Sequence, residues 1–239
     1  MRNSRSIRLT LRAAGLSIAV SVLTGCATAT VDNPDPYEHF NRKVFAFNQV
    51  ADKFVLKPVA VTYRFVTPKF ARQGVDNFFN NAGDTTVIVN DLLQFKLKKT
   101  GADVTRMAIN STIGLAGFID VASSWGYQRV PLTFGDTLSV YGWENSAYII
   151  VPILGPWTVR DMIGSVPDCY FSAWCYIKPE YLQASLAVLD IVNKRAIFLE
   201  MERLLRVASF DDYVLFRDIY FQRRAARLSG EGGGDGLAF

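Results

Sequence analysis

The sequence predicts a mainly α-helical domain that lies along a membrane rather than through it. Three observations carry this. Apolar residues recur every three to four positions over long segments. Half of the 239 residues are hydrophobic and 13% are aromatic. Yet no segment after residue 26 supplies the ~20 apolar residues that a membrane crossing needs. The longest uncharged stretches, 107–119 and 145–159, are too short, and both contain glycine. An apolar chain tethered to a membrane but lacking a span belongs in the interface.

The tether is read from the first 26 residues. Arg2, Arg5, Arg8 and Arg12 precede an apolar run, Ala13 to Leu23, which ends in Leu23-Thr24-Gly25-Cys26. That order is an export signal, residues 1–25, followed by a lipobox whose cysteine takes a diacylglyceryl group. Ala27 stands where an inner-membrane retention signal would place Asp, which predicts the outer membrane, on its periplasmic side. The four signal arginines account for the whole excess of 26 basic over 22 acidic residues. A neutral mature chain, 26–239, offers no electrostatic basis for binding nucleic acid.

Residues 26–34 read as the lipidated tether and 35–228 as a single helical domain. Asp35, Pro36 and Glu38 have the spacing of a capping box that opens a helix over 36–55. Phe40, Val44, Phe47, Ala51, Phe54 and Val55 share one face of it, while Asn41, Arg42, Gln49, Asp52 and Lys53 lie opposite with Phe45 among them. Pro58 and Pro68 are expected to break the next stretch. Residues 69–96 read as one or two helices, and 101–122 starts amphipathic and becomes glycine-spotted from Ile113 to Ala122. Gly114 and Gly117 there fit either close helix packing or a turn. Pro and Gly punctuate 125–160, predicting a short hairpin or extended loop near 130–155. The longest helix is expected at 180–207, apolar on more than one side. A last helix is expected at 211–228, with Asp211 and Asp212 at its start and Arg223, Arg224 and Arg227 at its end, as the helix dipole favours. The tail, 229–239, is glycine-rich and reads as disordered. Cys169 and Cys175 are an even pair in an oxidising compartment, either bridged or two buried thiols.

Enzyme chemistry is not evident. There is no G-x-S-x-G elbow, P-loop or G-x-G-x-x-G, and the one histidine, His39, sits in the first helix. One His and two spare Cys make no zinc set, so no metal or cofactor is expected beyond the covalent lipid on Cys26.

Several strings together resemble the VacJ/MlaA family of outer-membrane lipoproteins. They include Asp35-Pro36-Tyr37-Glu38-His39-Phe40-Asn41-Arg42, Asn90-Asp91-Leu92-Leu93-Gln94, Ile109 to Ala122, Phe134-Gly135-Asp136-Thr137-Leu138, Pro152-Ile153-Leu154-Gly155-Pro156 and Arg217 to Arg224. The resemblance implies a ring of amphipathic helices within the outer membrane around a central amphipathic channel. It implies removal of mislocalised phospholipid from the outer leaflet and delivery to a periplasmic lipid-carrier protein, beside porin trimers. Phe45, Phe47 and Asn48 are the candidates for shaping the channel or its gate, the alternative being ordinary helix packing. Arg160 and Asp161 are expected either to pair or to face a head group. The family's flexing glycine-rich loop is here Gly142-Trp143-Glu144-Asn145-Ser146-Ala147-Tyr148, so Gly142 is the remaining hinge candidate. The alternatives are a structural, porin-associated or envelope-docking lipoprotein without transport activity, and a membrane-surface hydrolase.

Overall fold

The computed structural model describes residues 29–30, 33–208 and 211–230, with the side chains of 203–208 left aside. The signal segment, Cys26 and the tail beyond Gly230 lie outside the described residues. The described chain is helical apart from one hairpin: α1 Glu38–Ala51, a π-helical turn Asp52–Leu56, α2 Lys57–Val66, α3 Lys69–Leu93, α4 Leu97–Thr112, α5 Val121–Ser124, α6 Phe134–Val140, β1 Tyr148–Val151, β2 Gly155–Thr158, α7 Val159–Phe171, a 3₁₀ turn Ala173–Tyr176, α8 Glu180–Ala208 and α9 Asp212–Ser229. The strands pair antiparallel, Tyr148 opposite Thr158 and Val151 opposite Gly155.

The helix start differs from the capping-box expectation. Tyr37 occupies the cap position and no side chain bonds there. Asp35 is instead buried, accepting from Asn41 Nδ2 at 2.8 Å and from the Tyr213 hydroxyl. A tertiary partner outcompetes the local cap. Pro58 does not break the chain either. The π turn widens the ladder so that the Lys57 N–H reaches the Asp52 carbonyl, and Pro58 then falls in the first turn of α2, where its missing N–H costs little. Pro68 does end α2. Residues 69–93 form one helix.

Helix α4 stops at Thr112, where the glycine-spotted part begins, and there Leu115, Ala116 and Gly117 all take positive φ. A Cβ on Gly117 would lie 2.6 Å from that of Asn81, and one on Gly114 would lie 2.2 Å from the Ile119 carbonyl oxygen. Both readings of this glycine pair therefore hold: it turns the chain and lets the turn press on α3.

Within 125–160 the hairpin is present at 148–158, but Phe134–Val140 is a helix. Its start is a capping box: Thr133 Oγ1 accepts from the Asp136 N–H, and the Asp136 carboxylate accepts from the Thr133 N–H at 3.1 Å. Helix α8 has the predicted extent, and α9 is capped by Asp211, which accepts from the Tyr213 and Val214 N–H groups. Gly230 in the left-handed conformation ends it. The small apolar cores are Ala60, Ala196 and Leu199 between α2 and α8, and Tyr148, Ile150 and Tyr213 between the hairpin and α9.

Candidate functional site

The polarity of this domain is inverted relative to a water-soluble protein. Among its most buried residues are Asn41, Arg72, Asp84, Asn90, Asp91, Asp103, Arg106, Asn110, Asp136, Arg160, Asn193 and Arg224. Its exposed residues include Phe65 at 90%, Phe95 at 80%, Ile153 at 78% and Phe70 at 77%. Single exposed apolar residues are ordinary, but so many large ones outside a buried charged interior are not.

The inversion begins in helix periodicity. On α3, Asn81, Asp84 and Asp91 recur at spacings of three and seven, and on α4 Asp103, Arg106 and Asn110 at spacings of three and four. These stripes face each other. Arg106 donates from Nη1 to Asp120 at 3.0 Å, to Ser123 Oγ at 2.9 Å and to the Tyr127 carbonyl at 3.2 Å, and its Nε lies 3.5 Å from Asp84. Arg129 Nε donates to Asp84 at 2.6 Å. Lys99 Nζ bridges Asp91 at 3.0 Å and Asp103 at 3.2 Å. Burial and the neighbouring Asp91 carboxylate outweigh Lys99 and push the Asp103 carboxyl up to about 6. Helix α1 follows the same rule. From its polar face Asn41 turns inward, donating to the Tyr148 carbonyl and accepting from the Ile150 N–H at 2.9 Å, while Gln49 stays exposed. Asp52, in the π turn that follows, receives a two-pronged bond from Arg195 at 2.7 and 2.8 Å. Phe40, Phe47, Val50 and Phe54 face outward.

The residues singled out from the sequence separate. Phe45 packs on Tyr213 and Phe216, with ring centroids 5.7 and 5.6 Å away, and so stands in the apolar core. Phe47 is exposed and, with Lys43, Val44 and Pro152, lines a shallow cavity of about 350 Å³. Asn48 donates to the Val151 carbonyl at 3.1 Å and accepts from the Ile153 N–H at 2.8 Å, bracing the hairpin turn.

Arg160 and Asp161 do not pair with each other. Asp161 accepts from Arg224 at 2.8 and 3.0 Å and from the Tyr220 hydroxyl. Burial would raise its carboxyl, but Arg224 and these hydrogen bonds hold it below the usual carboxylate range. Arg160 is buried and donates from Nη1 to the Glu144 carbonyl at 2.9 Å, while its N–H donates to Ser146 Oγ. Burial and nearby Arg224 weaken its hold on its proton. It thus pins the 142–146 loop to the start of α7. Gly142 opens that loop at φ +105°, and nothing lies within 4 Å of where its Cβ would be. Cys169 and Cys175 are joined by a disulfide. The Asp136–Arg224 pair at 3.2 Å, with Arg227 at 3.6 Å, was not singled out from the sequence. The arginines had been assigned to the helix dipole alone.

Fold and site together define a class: a mainly helical protein with ion-paired polar groups in its interior and many large apolar residues on its outside, in which no described helix is long and apolar enough to cross a membrane. The chain belongs to the MlaA lipoprotein family, whose model matches residues 33–227. It is 35% identical over 220 residues to the intermembrane phospholipid transport system lipoprotein MlaA of Escherichia coli (strain K12), covering 89% of this chain and 87% of that protein. It is 33% identical over 215 residues to the protein of the same name from Haemophilus influenzae, covering 86% and 85%. A solved structure from work on the structural basis for maintenance of bacterial outer membrane lipid asymmetry superposes with a TM-score of 0.72. It is 34% identical, covering 81% of this chain and 98% of that one.

Proposed function

We propose that this chain is an outer-membrane lipoprotein, anchored through Cys26 on the periplasmic side, that withdraws mislocalised phospholipid from the outer leaflet. It passes that lipid to a periplasmic carrier and so maintains lipid asymmetry. The carrying observation is the inverted polarity: Phe65 and Phe70 outside, Asp84, Arg106 and Asn110 inside. Two acyl tails with ~30 methylenes cost on the order of 20 kcal/mol to bring into water, at about 0.8 kcal/mol per methylene. A lipid therefore changes compartments only along surfaces that match its tails and its head. Helices whose apolar faces meet the bilayer and whose polar faces meet in the interior, arranged as a ring around an amphipathic channel, supply both surfaces. Their backbone groups stay bonded within the helices, as a hydrocarbon environment demands. Relatives named for a phospholipid transport system and a structural neighbour concerned with lipid asymmetry support this reading. Porin trimers are the proposed neighbours in the membrane.

The test is genetic and chemical. Cells lacking the chain are expected to accumulate phospholipid in the outer leaflet, and the purified protein is expected to carry phospholipid. A purely structural lipoprotein would leave outer-leaflet phospholipid unchanged on its loss.

A further inference from the structure

The exposed aromatic residues are sorted by chemical type. Among the described residues, every exposed phenylalanine lies at or before Phe118, and every exposed tyrosine or tryptophan lies at or after Trp125. The two groups sit largely on different parts of the fold, the exceptions being Phe118 and Phe95, the latter two residues from Leu93, whose carbonyl accepts from the Tyr141 hydroxyl at 2.6 Å. Phe54, Phe65 and Phe70 project from the continuous run through α1, the π turn, α2 and the start of α3. Tyr141, just past α6, Tyr170 on α7 and Tyr176 in the 3₁₀ turn project from a unit in which α7 packs on both α6 and the turn. The turn is closed by Cys169–Cys175, and the Tyr176 hydroxyl donates to the Tyr170 carbonyl at 2.9 Å. Beyond it stand Lys178 and Glu180, both open to solvent at their side chains, and then Tyr181.

A phenyl ring has no polar atom and is at home among acyl chains. A phenol or indole has an apolar body and one donor that needs a partner, which places it where lipid meets water. The arc does carry lysines, and one of them, Lys53, holds its Nζ 5.5 Å from the Phe54 ring centroid, within cation–π range. A water-exposed face would need neither ring type, and an acyl-chain contact would not call for phenols.

We propose that the unit of α6, α7 and the disulfide-closed turn meets the phospholipid headgroup layer, while the phenylalanine arc of α1–α3 lies deeper among the acyl chains. This rests on the membrane-lying reading above and adds an orientation to it. The partner of the tyrosine surface is the glycerol and headgroup zone of a bilayer, with the disulfide holding the turn that presents it.

The experiment uses the full-length lipidated protein in vesicles of phosphatidylethanolamine and phosphatidylglycerol. A nitroxide amino acid, inserted without cysteine chemistry, replaces Phe65, Phe70, Tyr170 or Tyr181 one at a time. Collision rates with oxygen, which favours hydrocarbon, and with a water-soluble nickel complex report depth. The oxygen-to-nickel ratio is expected to be several-fold higher at positions 65 and 70 than at 170 and 181, and nickel access at 170 and 181 is expected to fall when vesicles are added. Equal ratios at all four positions, or no change at 170 and 181 on adding lipid, overturn the orientation while leaving the membrane reading standing. Unchanged nickel access at 65 and 70 overturns both.

Discussion

Replacing Arg106 by methionine removes the centre of the buried seam between α3 and α4. The guanidinium is 2% exposed. Its loss strips Asp120 of bonds at 3.0 and 3.2 Å and leaves Ser123 Oγ and the Tyr127 carbonyl without that donor. Asp84 keeps Arg129 at 2.6 Å, and Asp120 keeps Asn110 and Ser123. Breaking a buried pair costs roughly 3–5 kcal/mol, and the retained partners put this case near about 3 kcal/mol. Part of that is coupling to Asp120. A double-mutant cycle of Arg106→Met and Asp120→Asn is therefore expected to be non-additive by about 1–3 kcal/mol. Urea unfolding in mild detergent, followed by tryptophan fluorescence, measures all four species. Lys178→Met is the control, since the Lys178–Glu180 pair is 72% and 86% exposed and its loss is expected to stay within about 0.5 kcal/mol. An Arg106→Met cost below about 1 kcal/mol, the range of an exposed pair, would refute the claim that this seam is dry.

Three other outcomes are expected. Gly142→Pro forces φ to about −65° where the chain sits at +105°, so outer-leaflet phospholipid should accumulate while fractionation still places the protein in the membrane. Normal lipid asymmetry in that variant would remove the hinge. The Asp103 carboxyl, raised to about 6 when folded against about 3.9 unfolded, binds its proton more tightly in the native state. Its contribution is thus full below about pH 4 and is lost as pH rises through 6, a slope that Asp103→Asn should abolish in urea titrations at stepped pH. Cys26→Ser should abolish palmitate incorporation and release the domain from its covalent anchor, checked by metabolic labelling.

Long periodic elements were legible from residue pattern, and tertiary competition accounts for the rest. The apolar residues of 180–207 place α8 within a residue or two. The opening of α1 was misplaced because Asp35 has a better acceptor role against Asn41 and Tyr213 than as a cap, and both partners are set by the fold. The break at Pro58 failed because a π turn is invisible to a rule built on the α ladder. Helix α6 hid behind Pro131 and Gly135, although Thr133 and Asp136 carry the cap spacing that would have found it. The two faces of α1 were separable in sequence, but the inward turn of Asn41 and Asp52 depends on Arg195, Tyr148 and Ile150, far along the chain. Arg160 and Asp161, adjacent in sequence, point to different partners for the same reason: one meets the Glu144 carbonyl and the other Arg224.

The central claim is that the exposed phenylalanines face acyl chains. Phospholipid carrying a photoactivatable diazirine in its acyl chain, incorporated in vesicles with the lipidated protein and irradiated, tests it most directly once adducts are mapped by mass spectrometry. Adducts are predicted on the peptides bearing Phe54, Phe65 and Phe70, with none on the seam of Asp84, Arg106 and Asn110. Labelling confined to the anchor, with the phenylalanine arc untouched, would contradict it.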